Sequence, residues 1–257
     1  MSLLRAKCPD CRTNTAVAIG SEYECHSCGR TFRAGLVRVP RAWGDGGEQM
    51  VEAAALELEY PEASVVDEDS LAMQTLAVAS DLPARPLILG GCCCSHIGAI
   101  EGLAARHEKL GVLWLDAHGD LNTPQSSPSG NEWGMPLRML LDGGTIAAED
   151  TALVGARSLD PPEESFIADS GLRTGADAIA WALEGAEGVY VAFDCDVLAP
   201  GEVASFMPEP GGISLAEAEG LLATIAERTT VLGFGLSGLR READPGSLAR
   251  LTTALGL

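Results

Sequence analysis

Residues 112–120 read VLWLDAHGD, and residues 189–196 read VYVAFDCD. In each, a short apolar run of the kind that a fully buried parallel strand requires is followed at once by acidic side chains. Asp116, His118 and Asp120 recur with period two, as do Asp194 and Asp196. In extended chain that period puts each set on one face. Both sets stand at the carboxyl ends of strands, where open α/β sheets bind ligands. Four carboxylates meeting in one crevice repel each other and rise in pKa unless cations balance them. Two divalent ions would supply that balance. Oxygen donors with one imidazole suit manganese, with zinc as the alternative. A lone DxD would read as a solvated loop; two such motifs at two strand ends point to a metal site.

Around these segments strands and helices alternate. Strands are expected at Leu36–Val39, Pro86–Leu89, Ala152–Val154 and Thr230–Phe234 as well as at Val112–Leu115 and Val189–Phe193. Helices are expected over 47–60, 95–109, 175–184, 214–228 and 246–255. That order predicts an α/β fold, a parallel sheet covered by helices on both faces. No internal repeat or long linker interrupts it.

Eight cysteines fall in two groups and one singleton. Cys8-Pro9-Asp10-Cys11 and Cys25-His26-Ser27-Cys28 are paired CxxC knuckles. Each knuckle puts two thiolates on a tight turn, and two knuckles supply the four soft ligands of a closed structural zinc site. Residues 1–35 are therefore expected to be a small zinc ribbon holding one structural zinc, with Tyr23 and Phe32 capping its core. So short a segment has little core of its own, and metal binding would supply much of its folding energy. Residues 36–257 form the second expected unit. Cys92, Cys93 and Cys94 are consecutive and cannot all pair locally, which fits a reducing, cytoplasmic compartment.

The chain has 257 residues and a formal net charge of −20. Residues 1–45 carry a net +3 and residues 46–257 a net −23. The acidic body would repel a phosphate backbone, so nucleic acid is not an expected partner. No apolar run reaches the roughly 18 residues of a membrane span, and the first residues lack the apolar core of a signal peptide. The expected partner is a small molecule, and homo-oligomerisation is left open.

The segment DAHGDLNTPQSSPSGNEWGMPL (116–137), the strand end FDCDVLAP (193–200) and the Gly90-Gly91 turn resemble the arginase/agmatinase, or ureohydrolase, family. The resemblance runs over about residues 36–257. It implies a three-layer α/β/α fold, shared with arginase/deacetylase-like proteins, a dinuclear manganese site, and hydrolysis of a guanidino or amidino C–N bond. Carried over by position, Asp116 and Asp194 bridge two ions. Asp120 joins them on the first, His118 and Asp196 on the second. Asp120 and His118 are the implied catalytic residues, with Asp120 taking a proton from the attacking water to the departing amine. Asn122, Ser129 and Asn131, with Asp160 of ARSLDP, match positions that hold the α-carboxylate and α-amine of arginine. The implied substrate is arginine or a modified arginine such as N-hydroxyarginine.

The chain also departs from the family pattern. Where the family has a metal-binding histidine after the Gly-Gly turn, alignment on Ile97-Gly98 places Cys93; His96 is the alternative ligand. Trp133 stands where the family has a proton-shuttling histidine. The carboxylate expected on the late strand, within TVLGFGLSG (230–238), is missing, and Ala199 and Ala192 replace an Asp and a Ser. An active dinuclear hydrolase is the first reading. A metal-binding but non-catalytic or repurposed domain, using the ribbon for partner binding, is the second.

Overall fold

The structure, a computed structural model, describes residues 5–6, 8, 11, 13, 15–19, 22–33, 35–58 and 60–256. Two sheets build it. The smaller is antiparallel, in the order β1 (Arg5–Ala6), β2 (Ala16–Ile19), β3 (Glu22–Cys25) and β4 (Thr31–Arg33). Tyr23 and Phe32 stack at 5.8 Å and pack with Cys8, Ala16 and Cys25 into its small core.

The larger sheet uses β5 (Leu36–Val39), β6 (Glu62–Val65), β7 (Leu87–Gly90), β8 (Leu110–Leu115), β9 (Thr151–Val154), β10 (Arg173–Thr174), β11 (Gly188–Asp194) and β12 (Val231–Ser237). Their order is β10-β9-β8-β11-β12-β7-β5-β6, and all seven pairings are parallel. Every residue of β7, β8 and β11 is buried. Their side chains alternate between two cores. Leu113, Leu115, Val191 and Phe193 join one; Val112, Trp114, Tyr190 and Ala192 join the other. A continuous apolar run is thus what a strand with helices on both faces demands.

The first core is closed by α6 (Ile179–Ala182), α7 (Leu215–Arg228) and α8 (Pro245–Ala254). The second is closed by α2 (Leu71–Ser80), α3 (Ser95–Ala104), α4 (Pro136–Asp142) and α5 (Pro161–Ser170). This is the expected three-layer arrangement. The chain leaves β8 through α4 toward β9 on one side, and leaves β11 through α7 toward β12 on the other. Adjacent strands whose connections run to opposite faces open a crevice at their carboxyl ends, and β8 and β11 are those strands.

Local expectations differ from the structure in places. The helix over 47–60 is only α1 (Glu48–Ala53). Arg38 takes the carbonyls of Ala54 and Leu56 at 2.6 and 2.8 Å, so they face a guanidinium rather than a further helical turn. The helix over 95–109 ends at Ala104. Three helices, α2, α4 and α5, and two edge strands, β6 and β10, were not anticipated. The helices α4 and α5 each begin on proline, a favoured first helical residue.

Candidate metal centre

Three strand ends and one turn build the site. Asp116 follows β8 directly, Asp194 ends β11, and Ser237 ends β12 in register with Asp194. The turn after β7 brings in Cys93, one residue before α3 is capped. Close backbone approach makes this possible. A Cβ at Gly91 would run into the carbonyls of Pro40 and Arg41, and one at Gly238 into the Asp194 carboxylate. Gly238 has a φ of +65°, which a glycine adopts without the steric cost of a side chain.

The six expected ligands converge. Cys93, Asp116 and Asp120 each offer an atom within 4.8 Å of the others, and so do Asp116, His118 and Asp196. Asp116 belongs to both groups. Cys93 Sγ lies 2.9 Å from Asp194 Oδ2 and 3.6 Å from Asp116 Oδ2. His118 Nδ1 lies 2.9 Å from Asp196 Oδ2 and 3.5 Å from Asp116 Oδ1. Backbone amides hold the carboxylates: Ala117 N donates to Asp196, His118 N to Asp116, and Asp196 N to Asp194. Trp114 Nε1 donates to Asp116 Oδ2 at 3.3 Å. His96 stays outside both groups, its two ring nitrogens bonded to Tyr190 and Ser237.

Asp120 carries a φ of +54°, a left-handed conformation that is uncommon outside glycine and costs of order 1 kcal/mol. The turn carries a buried carboxylate whose Oδ2 has no hydrogen-bond partner among the described residues. His118 Nε2 likewise lacks one. Buried polar atoms without partners are rare, and two of them among these donors fit groups that hold an ion.

Charge tells the same story. Burial, reinforced by Asp196, pushes Asp194 up to about 7, and burial with Asp116 pushes Asp196 up to about 6. Burial and the Asp116 and Asp194 charges drive Asp120 well above the carboxylate range. Burial, then Asp120, Asp194 and Asp116, drive the Cys93 thiol up. Burial pulls His118 down, but its bonds to Asp116 and Asp196 outweigh that and hold it up at about 12. This donor set, four carboxylates with a thiol and an imidazole, is short of cations and fits two divalent ions.

The site opens into a cleft of about 280 Å³. Asn122, Ser129, Asn131 and Asp160 all line it. Asn122 Nδ2 donates to Asp160 Oδ2 at 2.9 Å, and Asn131 Oδ1 accepts from Asp45 N at 3.0 Å. Trp133 also lines the cleft and packs edge-on against Phe206 at 5.7 Å. Three site residues escaped the sequence reading. Ser237 stands beside Asp194, visible only once strand order is known. Glu163 accepts from Leu121 N and Asp160 N, fastening the Asp120 turn to α5. Glu209, from the loop between β11 and α7, lies 3.6 Å from His118 Nε2 and lines the cleft; the late strand itself brings no acid.

At the N-terminus the four expected ribbon cysteines also gather. Cys8, Cys11, Cys25 and Cys28 place their sulfurs within 4.8 Å of one another. Cys8 and Cys28 are 3.6 Å apart, Cys11 and Cys25 3.4 Å.

The sequence profile of the Arginase family matches residues 44–255. The chain belongs to the arginase family. Among arginases, that of Bacillus caldovelox is 36% identical over 169 residues, which cover 55% of this chain and 56% of its own. The chain spans about half the length of the arginases it matches in sequence. The crystal structure of Bacillus subtilis arginase superposes with a TM-score of 0.73 at 24% identity, covering 86% of this chain and 97% of that one. The formimidoylglutamase structure from the same species gives 0.67 at 18% identity, covering 86% and 85%. These superpositions establish the arginase-family fold. Within that fold, this chain puts a cysteine at the first turn of the centre and a tryptophan at the cleft wall.

Proposed function

We propose that this chain is a metal-dependent hydrolase of a guanidino or amidino C–N bond. The observation that carries the reading is the pair of donor groups that share Asp116 and open onto one cleft. Cys93, Asp116, Asp120 and Asp194 would hold one ion; Asp116, Asp194, His118 and Asp196 would hold the other. Manganese is the family's ion, and the Cys93 sulfur shifts preference toward zinc. Two such ions supply Lewis acidity that brings the pKa of water down toward neutrality.

The chain's own groups do the rest. Asp120 Oδ2, buried and unpartnered, is placed to accept a proton from water and return it to the departing amine. His118 would take part in the chemistry as the imidazole ligand of the second ion, with its Nε2 3.6 Å from Glu209 Oε1. Glu209 gives the cleft an anionic group beside the centre for a cationic amidinium, which a hydrogen-bonded carboxylate binds strongly. Asn122, Ser129, Asn131 and Asp160 present directed polar groups to the amino-acid end of arginine or a modified arginine such as N-hydroxyarginine.

The test is release of urea or ammonia from a panel of arginine, N-hydroxyarginine, agmatine and related guanidines, after manganese loading. Release from arginine or N-hydroxyarginine in preference to agmatine is expected. No release from any compound at two ions per chain would overturn the proposal.

We also infer that residues 1–35 are a zinc ribbon separate from 36–257, its four cysteines holding one structural zinc. The full chain purified in zinc is expected to retain one equivalent that Cys25→Ser and Cys28→Ser lose. Equal zinc in those variants and the parent chain would refute it.

A further inference from the structure

His96 is completely buried at the start of α3, and the chemistry above makes no use of it. Its Nδ1 lies 2.9 Å from Tyr190 Oη and its Nε2 3.0 Å from Ser237 Oγ. Ser237 Oγ donates to Asp194 Oδ2 at 3.2 Å and lies 3.3 Å from Cys93 Sγ. A hydroxyl has one proton. Because that of Ser237 goes to Asp194, Ser237 must accept from the ring, which places the imidazole proton on Nε2. Nδ1 is then an acceptor, and the Tyr190 hydroxyl fills it. The bonds therefore run one way, from Tyr190 through His96 and Ser237 to the Cys93–Asp194 pair. Burial holds the His96 ring neutral, down at about 3, as that tautomer requires.

The surroundings are shaped to admit this path. A Cβ at Gly235 would overlap both His96 Nδ1 and Tyr190 Oη, so β12 gives up a side chain where the two meet. Trp114 closes the other side, edge-on to the imidazole at 5.4 Å. A core histidine needs only satisfied nitrogens. This one is satisfied by two hydroxyls, and the second of them touches both a carboxylate and a thiol of the centre.

We propose that Tyr190, His96 and Ser237 are positioning residues for the Cys93–Asp194 side of the metal centre, a buried hydrogen-bond chain that aims the Ser237 proton at Asp194, holds its oxygen against Cys93 and sets the affinity for the ion they would hold. The proposal rests on the reading of Cys93 as a ligand. Groups that orient a ligand from behind typically account for about 10–100-fold in metal affinity. The Asp194 carboxylate is the ligand that Ser237 orients directly, by its hydrogen bond at 3.2 Å, and the same oxygen packs 3.3 Å from the Cys93 sulfur.

Cobalt(II) titration of the full chain tests this, through the thiolate-to-cobalt charge-transfer absorbance. The signal is read as the difference from Cys93→Ala, which cancels the N-terminal cysteine cluster. The wild-type chain is expected to give a saturable difference band. Ser237→Ala and His96→Phe should need about 10–100-fold more cobalt for the same band. His96→Gln, whose amide N–H can still reach Ser237, should recover most of the loss. Thermal melts of the cobalt-free variants separate binding from folding, and Ser237→Ala, the loss of one hydroxyl, carries the test if His96→Phe does not fold. A wild-type band with an unchanged midpoint in Ser237→Ala overturns the positioning role alone. Absence of any wild-type band overturns Cys93 as a ligand, and this inference with it.

Discussion

Asp116→Ala is expected to abolish binding of both ions and to lower turnover about a thousandfold or more. Asp116 belongs to both donor groups and would, with Asp194, be shared by the two ions, and it has almost no exposure to water. Its Oδ1 accepts from His118 N at 2.7 Å and its Oδ2 from Trp114 Nε1 at 3.3 Å, so the carboxylate is fixed between them. A change that takes one oxygen from each of two ions removes electrostatic stabilisation of several kcal/mol, and about 1.36 kcal/mol is a factor of ten in rate. Asp196→Ala, by contrast, touches only the second group and should leave one ion in place. Metal content after dialysis, by atomic emission, distinguishes the two variants. An Asp116→Ala chain that keeps two equivalents would show that the centre is not shared.

Stripping the metals is expected to make thermal stability fall as pH rises from about 4 to about 7, and reloading them to reverse most of that fall. Burial and mutual repulsion raise Asp194 to about 7 and Asp196 to about 6 in the folded, cation-free chain. An unfolded aspartate titrates near ~3.9. Between those values the folded chain holds protons that the unfolded chain has released, so stability decreases with rising pH across the window. His118 acts in the same direction at higher pH. Held up at about 12, it contributes stability that is complete below the unfolded value near ~6.5 and is lost progressively as pH rises from there through the folded value. Divalent ions remove the repulsion, so the gain in Tm on adding manganese should be larger at pH 8 than at pH 5. A gain of ~5–10 °C at pH 8 corresponds to about 2–3 kcal/mol for a chain of this size. Differential scanning calorimetry with chelator and with manganese checks it. A metal-free chain whose Tm rises steadily from pH 4 to pH 7 would contradict this account.

The donor set was legible because its chemistry is written locally. Asp116, His118 and Asp120 are read from one strand end, Asp194 and Asp196 from another, and period two already put each set on one face. Cys93 was legible through alignment on Ile97-Gly98, which favoured it over His96 without showing where either side chain lies. The place of His96 depends on which face of the first helical turn meets β12, where Gly235 leaves the gap that His96 fills. Glu209 and Ser237 were missed for a related reason. Neither has a local pattern, and each reaches the centre only because β12 lies beside β11 and the loop after β11 folds back over the cleft. The missed helices had start signals in Ser70, Pro136 and Pro161, but their apolar faces are too short or too mixed to show a period.

What the sequence determined by itself was the composition of the layers and the content of the centre: apolar runs long enough only for buried strands, acids where those runs stop, and four cysteines in two knuckles. Those follow from periodicity and ligand chemistry, which act over a few residues. The tertiary structure alone decided the strand order, with β8 and β11 as neighbours whose connections part to opposite faces. Placing residues 116 and 194 side by side is a matter of long-range pairing, governed by how helices cover both faces of a sheet, and no short stretch of chain encodes it.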